Sequence, residues 1–264
     1  MSDRYAVIGN PIAHSRSPSI HREFARATAQ DIDYGRIEAP LDGFAQSVEA
    51  FRASGGRGLN VTLPFKHQAF SLCSRVSERA RVARAVNTLV LETGFGDNTD
   101  GVGLTRDIGD NLGVSLQGRA VLLLGAGGAA RGVVGALLEA GVARLLIANR
   151  TVSKAKDLAQ RFAGATARGY DELGGERFDV IINATSAGLA DEAPRVPSAL
   201  FTETALAYDM VYGRETPFLA AARQAGARTC DGLGMLVEQA AEAFFLWRGV
   251  RPQTRPVLDK LRGA

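Results

Sequence analysis

The sequence predicts an α/β protein organised as two units, each built on a largely parallel sheet. Three observations carry that expectation. Short apolar runs alternate with helical patterns through the first hundred residues, a turn-rich stretch then interrupts them, and a fresh alternation runs from Ala120 to about Met210. Parallel strands joined by crossover helices produce this pattern. A chain of 264 residues is also long enough for two modest domains.

Taken in order, Tyr5–Ile8 reads as a strand, Pro18–Gln30 as a helix and Asp33–Ile37 as a second strand. Leu41–Ala53 is helical, Leu59–Leu63 is a strand, Phe65–Leu72 and Glu78–Ala85 are helical, and Asn87–Leu91 is a strand. The segment Thr93–Gly101 is rich in Gly, Asn, Asp and Thr and is expected to be the seam between the units, with a helix Val102–Asn111 crossing it. Ala120–Leu124 opens the second unit as a buried strand. Met235–Trp247 is apolar on too many faces to stay solvated, so it should pack back onto the first unit, with Phe244, Phe245 and Trp247 as core. The expected units are therefore 1–101 with 236–264, and 102–235.

Composition narrows the partners. Apolar residues make up 46% and charged residues 22%, and the net charge of +3 (31 − 28) is too small and too dispersed to argue for nucleic acid. The apolar stretch from Val121 to Ile147 is broken by Arg131, Glu139 and Arg144, so no membrane segment is expected. The N-terminal residues lack a secretory pattern, and Cys73 and Cys230 are isolated, which suits a reducing, cytoplasmic compartment. His14, His21 and His67 assemble no ligand set, so no metal is expected. A small-molecule partner and a monomer or homodimer fit these limits.

The clearest chemical signal is Val121–Leu124 running into Gly125-Ala126-Gly127-Gly128-Ala129-Ala130, with a helical pattern following. Glycines there permit a tight turn and close approach of the backbone to a pyrophosphate, and a helix N-terminus supplies free N–H groups. The second unit is thus expected to be a Rossmann-type, dinucleotide-binding domain. About 20 residues on, where NAD-binding versions carry an acid, the chain has Asn149-Arg150-Thr151, with Lys154 close behind. A guanidinium pairs with a 2′-phosphate and a carboxylate would repel it, so NADP is the expected cofactor.

Four further clusters fall where the pattern puts strand ends: Gly9–Pro18, Asn60–Lys66, Ala85–Thr88 and Gly96–Gly101. All are rich in uncharged hydrogen-bonding groups, suited to a small polyhydroxylated molecule. Together with Asn183-Ala184-Thr185-Ser186, Asp209-Met210-Val211-Tyr212 and Asp231-Gly232-Leu233-Gly234-Met235, these motifs stand in one order over the whole chain. In that order the sequence resembles the shikimate dehydrogenase family. The resemblance implies an NADP-dependent oxidoreductase of aromatic amino acid and chorismate biosynthesis, reducing 3-dehydroshikimate to shikimate, with a cleft between the two domains.

The resemblance also implies roles. Lys66 would be the catalytic acid/base beside Asp100. Ser15, Ser17 and Tyr212 would hold the substrate carboxylate, and Asn60, Thr62, Asn87, Asp100 and Gln239 its hydroxyls. Gly125, Ala126, Gly127, Gly128, Ala129, Asn149, Arg150, Thr151, Lys154, Thr185, Ser186, Met210 and Gly232 would line the NADP side, and Glu78 matches a position that contacts cofactor in some members. The central pair makes chemical sense, because an ammonium within reach of a ketone oxygen stabilises the charge built by hydride delivery and can give up a proton. Two other readings stand beside this one. A quinate-preferring or slow paralogue would be favoured by Thr at Ser17 and, for NAD use, by an acid at Asn149-Arg150. A non-catalytic ligand sensor would not need both Lys66 and Asp100. Ser15 and Ser17 could alternatively serve only to cap a helix.

Overall fold

A computed structural model describes residues 2–185, 187 and 191–263. The chain divides into two compact units, Met1–Gly103 with Leu236–Ala264, and Leu104–Met235.

The first unit contains β1 (Asp3–Gly9), α1 (Ser17–Ala27), β2 (Ile32–Glu38), α2 (Phe44–Ala53), β3 (Gly56–Val61), α3 (Lys66–Leu72), β4 (Arg75–Val76), α4 (Glu78–Ala83), β5 (Thr88–Val90) and β6 (Phe95–Asp97). Helix α5 (Asp100–Arg106) runs across the boundary into the second unit, where a π-helical turn, Asp107–Asn111, continues it. The second unit holds β7 (Ala120–Leu124), α6 (Gly128–Glu139), β8 (Arg144–Ala148), α7 (Val152–Ala159), β9 (Ala165–Arg168), β10 (Val180–Asn183), β11 (Leu206–Asp209), α8 (Pro217–Gln224) and β12 (Arg228–Cys230). Helix α9 (Leu233–Arg248) returns the chain to the first unit, which ends with α10 (Arg255–Arg262).

In the first unit the sheet order is β2-β1-β3-β5-β6-β4. Strand β1 runs parallel to both β2 and β3, but β5 is antiparallel to β3 and to β6. The segment Thr93–Gly101 is therefore not a seam. It contains β6, which the Leu91–Gly94 turn folds back against β5 inside the first unit. At three residues, one of them glycine, β6 is too short and too weakly apolar to declare itself by alternation. The reversal matters, because it brings the start of β5 and the end of β6 to the same sheet edge as the ends of β1 and β3.

Alternation along β1 supplies two cores. Ala6 and Ile8 join Phe44, Leu59, Val61 and Phe65 on one face, while Tyr5 and Val7 join Ile12 and Tyr34 on the other. Helix α9 covers the second face as expected: Trp247 stacks on Tyr5 at 4.7 Å, and Phe244 is fully buried. Phe245 departs from expectation, being 39% exposed with Arg251 over its ring.

The second unit is a six-stranded, wholly parallel sheet in the order β12-β11-β10-β7-β8-β9. Counted from β7, this is the doubly wound arrangement with its switch point between β7 and β10. Both faces of β7 are covered, Val121, Leu122, Leu123 and Leu124 all being fully buried, which is why its sequence is a continuous apolar run. Among the described residues no helix is long and apolar enough to cross a membrane, and no group of three His, Cys, Asp or Glu could hold a metal ion.

Candidate active site

Lys66 is the first residue of α3, Asp100 the first of α5. The Lys66 Nζ donates to Asp100 Oδ2 at 2.5 Å, and the pair is largely buried, with 18% and 7% of the side chains exposed. Asp100 Oδ1 accepts from Asn87 Nδ2 at 2.8 Å. The Gln239 amide oxygen, from α9, lies 3.4 Å from both Asn87 Nδ2 and Thr99 Oγ1, while its own nitrogen is tied to the Leu236 carbonyl at 2.8 Å. One ammonium, one carboxylate and two amides thus converge at one edge of the first sheet. An ammonium held on a carboxylate can hand a proton to a neighbouring oxygen and be recharged.

Where the loop after β1 enters α1, Ser15 Oγ and Ser17 Oγ lie 3.2 Å apart. The N-cap position of α1 is Arg16, which makes no side-chain cap, while Ser15 Oγ accepts from the N–H of Ser17, the first helical residue, at 3.3 Å. Arg36 fixes the loop by donating twice to the Ser15 carbonyl, at 2.6 and 3.2 Å. Thr62 follows β3 and is partly exposed; among the described residues its hydroxyl has no partner.

Asn60 lies near the end of β3. It is 5% exposed, and its amide is saturated internally: Oδ1 accepts from Tyr34 at 2.7 Å and from the His21 ring at 3.1 Å, while Nδ2 faces the Asn87 carbonyl and Thr88 Oγ1, each at 3.3 Å. The same bonds brace Tyr34, His21 and Thr88 around it. Burial pushes the His21 imidazole down to about 3, the Asn60 bond opposing, so the ring is neutral. Burial likewise pushes the Tyr34 hydroxyl well above its usual range.

The second cluster stands at the switch point of the second unit. Gly125 follows β7 at φ +107, a conformation that favours glycine, and a Cβ there would lie 3.1 Å from the Ala184 carbonyl. Beyond it Gly127 and Gly128 are exposed, and a Cβ on either would meet nothing within 4 Å. Helix α6 starts at Gly128 with no side-chain cap and no acid in its first turn. Uncapped N–H groups and an open approach fit a dinucleotide pyrophosphate. The helix starts earlier than Val133, where apolar periodicity first becomes visible.

At the end of β8 the Asn149 side chain bonds the Thr151 carbonyl at 2.9 Å and shapes the turn into α7. Arg150, Thr151 and Lys154 are exposed, and neither cation pairs with a described acid. Thr185 is held by Asn183, whose Oδ1 accepts both its N–H at 3.1 Å and its hydroxyl at 2.7 Å. Asn183 is held in turn by Asp209, which also accepts from Thr216 at 2.6 Å and from the Val211 N–H at 3.0 Å. Burial raises the Asp209 carboxyl, and these bonds oppose the shift. Met210 follows directly and bonds the Asn183 carbonyl through its N–H at 3.0 Å. Gly232 packs on it so closely that a Cβ would come within 2.4 Å of the Met210 carbonyl. Ser186 lies outside the described residues. Tyr212 belongs to this second unit, whereas Glu78 belongs to the first, exposed at the start of α4 and paired with Arg81.

Residues 7–89 match the family model described as the shikimate dehydrogenase substrate binding domain, 107–194 the model for shikimate / quinate 5-dehydrogenase, and 232–262 the shikimate 5′-dehydrogenase C-terminal domain. A shikimate dehydrogenase (NADP(+)) from Methylobacillus flagellatus is 58% identical, covering 99% of this chain and 100% of the relative. The chain belongs to the shikimate dehydrogenase family. Among solved structures, an Ael1 enzyme from Pseudomonas putida is 52% identical with a TM-score of 0.94, over 98% of each chain. The Thermus thermophilus shikimate 5-dehydrogenase, solved in complex with NADP(H) and shikimate, is 35% identical with a TM-score of 0.89, again over 98% of each chain.

Within the shikimate dehydrogenase frame, several bracing residues escaped the sequence reading: Tyr34, His21, Arg36, Thr88 and Thr99 in the first unit, Asn183 and Asp209 in the second. Asn183 and Asp209 stand inside recognisable motifs, and Thr88 beside Asn87 was equally visible. Nothing in the spacing of Tyr34 or His21 marked them as polar partners of Asn60.

Proposed function

We propose that this chain catalyses the reversible, NADP-dependent reduction of 3-dehydroshikimate to shikimate. The observation that carries the reading is the Lys66–Asp100 pair, 2.5 Å apart and shielded from solvent, with Asn87 fixed on its second carboxylate oxygen. The bound nicotinamide supplies the hydride. Lys66 then delivers the proton from Nζ to the former ketone oxygen, so that ketone, hydride and proton together give the alcohol. Asp100 keeps the amine at the reacting oxygen and assists its reprotonation. Asn87 and Gln239 order the ring hydroxyls, Thr62 adds a hydroxyl, and Ser15 and Ser17 with Tyr212 take the carboxylate.

On the cofactor side, Gly125–Ala129 would hold the pyrophosphate through backbone N–H groups. Arg150, with Thr151 and Lys154, would take the 2′-phosphate, a charge-assisted pairing that NAD cannot offer. Thr185, Met210 and Gly232 would border the nicotinamide half. The proposed substrate unit is residues 1–103 with 236–264, and the proposed NADP unit 104–235. Activity in the cytoplasm, as a monomer or homodimer, completes the proposal.

Oxidation of quinate is the second reading, favoured by the family model that names both acids for residues 107–194. Steady-state assays with shikimate and quinate, each against NADP and NAD, separate the two. Shikimate with NADP should give the highest kcat/KM; a preference for quinate would overturn the substrate assignment, and equal use of NAD the cofactor assignment.

A further inference from the structure

Asn87 can serve the Lys66–Asp100 pair only with its amide nitrogen toward the carboxylate; turned over, it would set an oxygen against Asp100. Three donors surround the Asn87 oxygen: the Thr99 N–H at 2.9 Å, the Thr88 hydroxyl at 3.0 Å and the Thr99 hydroxyl at 3.2 Å. The Thr99 N–H can only donate and favours the same orientation, whereas the Thr99 hydroxyl does not discriminate, since it also lies 3.0 Å from Asn87 Nδ2. The Thr88 hydroxyl does, because Asn60 Nδ2 donates to it and leaves its own proton for Asn87.

The direction of that bond is set further back. Asn60 Nδ2 faces the Asn87 backbone carbonyl, which only accepts, so Asn60 Oδ1 must receive the protons of Tyr34 and of His21 Nε2. The His21 Nδ1 is buried without a partner, consistent with a neutral ring whose proton is on Nε2. A polarised chain therefore runs from His21 and Tyr34 through Asn60, Thr88 and Asn87 to Asp100 and Lys66. Thr88 is fully buried, so no solvent can replace its hydroxyl.

We propose that the Thr88 hydroxyl is a positioning group for the reaction, acting with the Thr99 N–H to direct the Asn87 amide nitrogen onto Asp100; this rests on the role given above to Asn87 and Lys66. Thr88→Val keeps the shape and removes the bond. Its kcat should fall about tenfold with the KM for the acid changed less than about twofold, while Thr88→Ser, which keeps the hydroxyl, should stay within about threefold of the parent kcat. A Val variant with parental kcat, or a Ser variant as impaired as the Val variant, would overturn the proposal; the second result would mean that the methyl group's packing is what counts. If Thr88→Val fails to fold, Thr88→Ala is read in the same way. A readout independent of turnover is the side-chain amide signal of Asn87 in a ¹⁵N-correlated NMR spectrum, assigned by its loss in Asn87→Asp. It should move or broaden in the Val variant and hold in the Ser variant, and identical spectra would contradict the chain. Should the parent protein not oxidise shikimate, the reaction assignment fails, and the NMR comparison still judges Thr88.

Discussion

At the polar edge of the first sheet almost every candidate recognition group is a side chain held by another side chain: Lys66 by Asp100, Asp100 by Asn87, Asn87 by the hydroxyls of Thr88 and Thr99. At the switch point of the second sheet the corresponding groups are backbone N–H at the uncapped start of α6, with Arg150 and Lys154 exposed beside it. The difference fits what each site would have to distinguish. A pyrophosphate is a uniform anion that a helix N-terminus meets through geometry alone. A small hydroxylated acid must be told from its neighbours by the direction of individual hydrogen bonds, and those hold only if the donors are fixed beforehand.

The comparison is broken most severely at Asp100. Asp100→Asn keeps the shape but removes the charge that holds Lys66, and kcat should fall by about a thousandfold, within the range for loss of acid–base assistance. A loss under about tenfold would mean that pre-fixed side chains are not what the first unit contributes.

The second unit is sharpened at Arg150. Arg150→Ala should raise the KM for NADPH by about thirtyfold while leaving that for NADH within about twofold, as expected for one charge-assisted phosphate contact. Equal effects on both cofactors would remove Arg150 from the 2′-phosphate.

A further effect is expected on stability. His21 ionises at about 3 in the fold against an ordinary value of 6.5, lowered by burial. The unfolded chain therefore takes the proton first as the pH falls, so the contribution is present above 6.5 and is lost as pH drops toward 3. At pH 5 the loss is about 2 kcal/mol from this group. Urea unfolding at pH 7.5 and pH 5 should show that drop in the parent and a smaller one in His21→Gln; equal drops would mean that the ring is not held neutral.

How much of this was legible varied with how local each feature is. The glycine loop was readable because strand, turn and helix are consecutive and each glycine has a local reason, such as the φ of +107 at Gly125. The doubly wound unit followed from that loop and the apolar runs around it. Lys66 and Asp100 are 34 residues apart, and only the order of motifs across the family put them together. Strands β4 and β6, of two and three residues, fell below any periodic signal, so a hairpin was mistaken for a seam. The enclosure of Asn60 was not legible, because nothing in the sequence reveals that Tyr34 and His21 occupy its oxygen.

The most direct measurement is steady-state and single-turnover kinetics of Lys66→Ala with shikimate and NADP. If Nζ of Lys66 is the proton carrier, kcat should drop by about a hundredfold to ten-thousandfold with KM for shikimate changed only a fewfold. A near-parental kcat, or a large rise in KM at unchanged kcat, would show that Lys66 binds the acid without moving its proton.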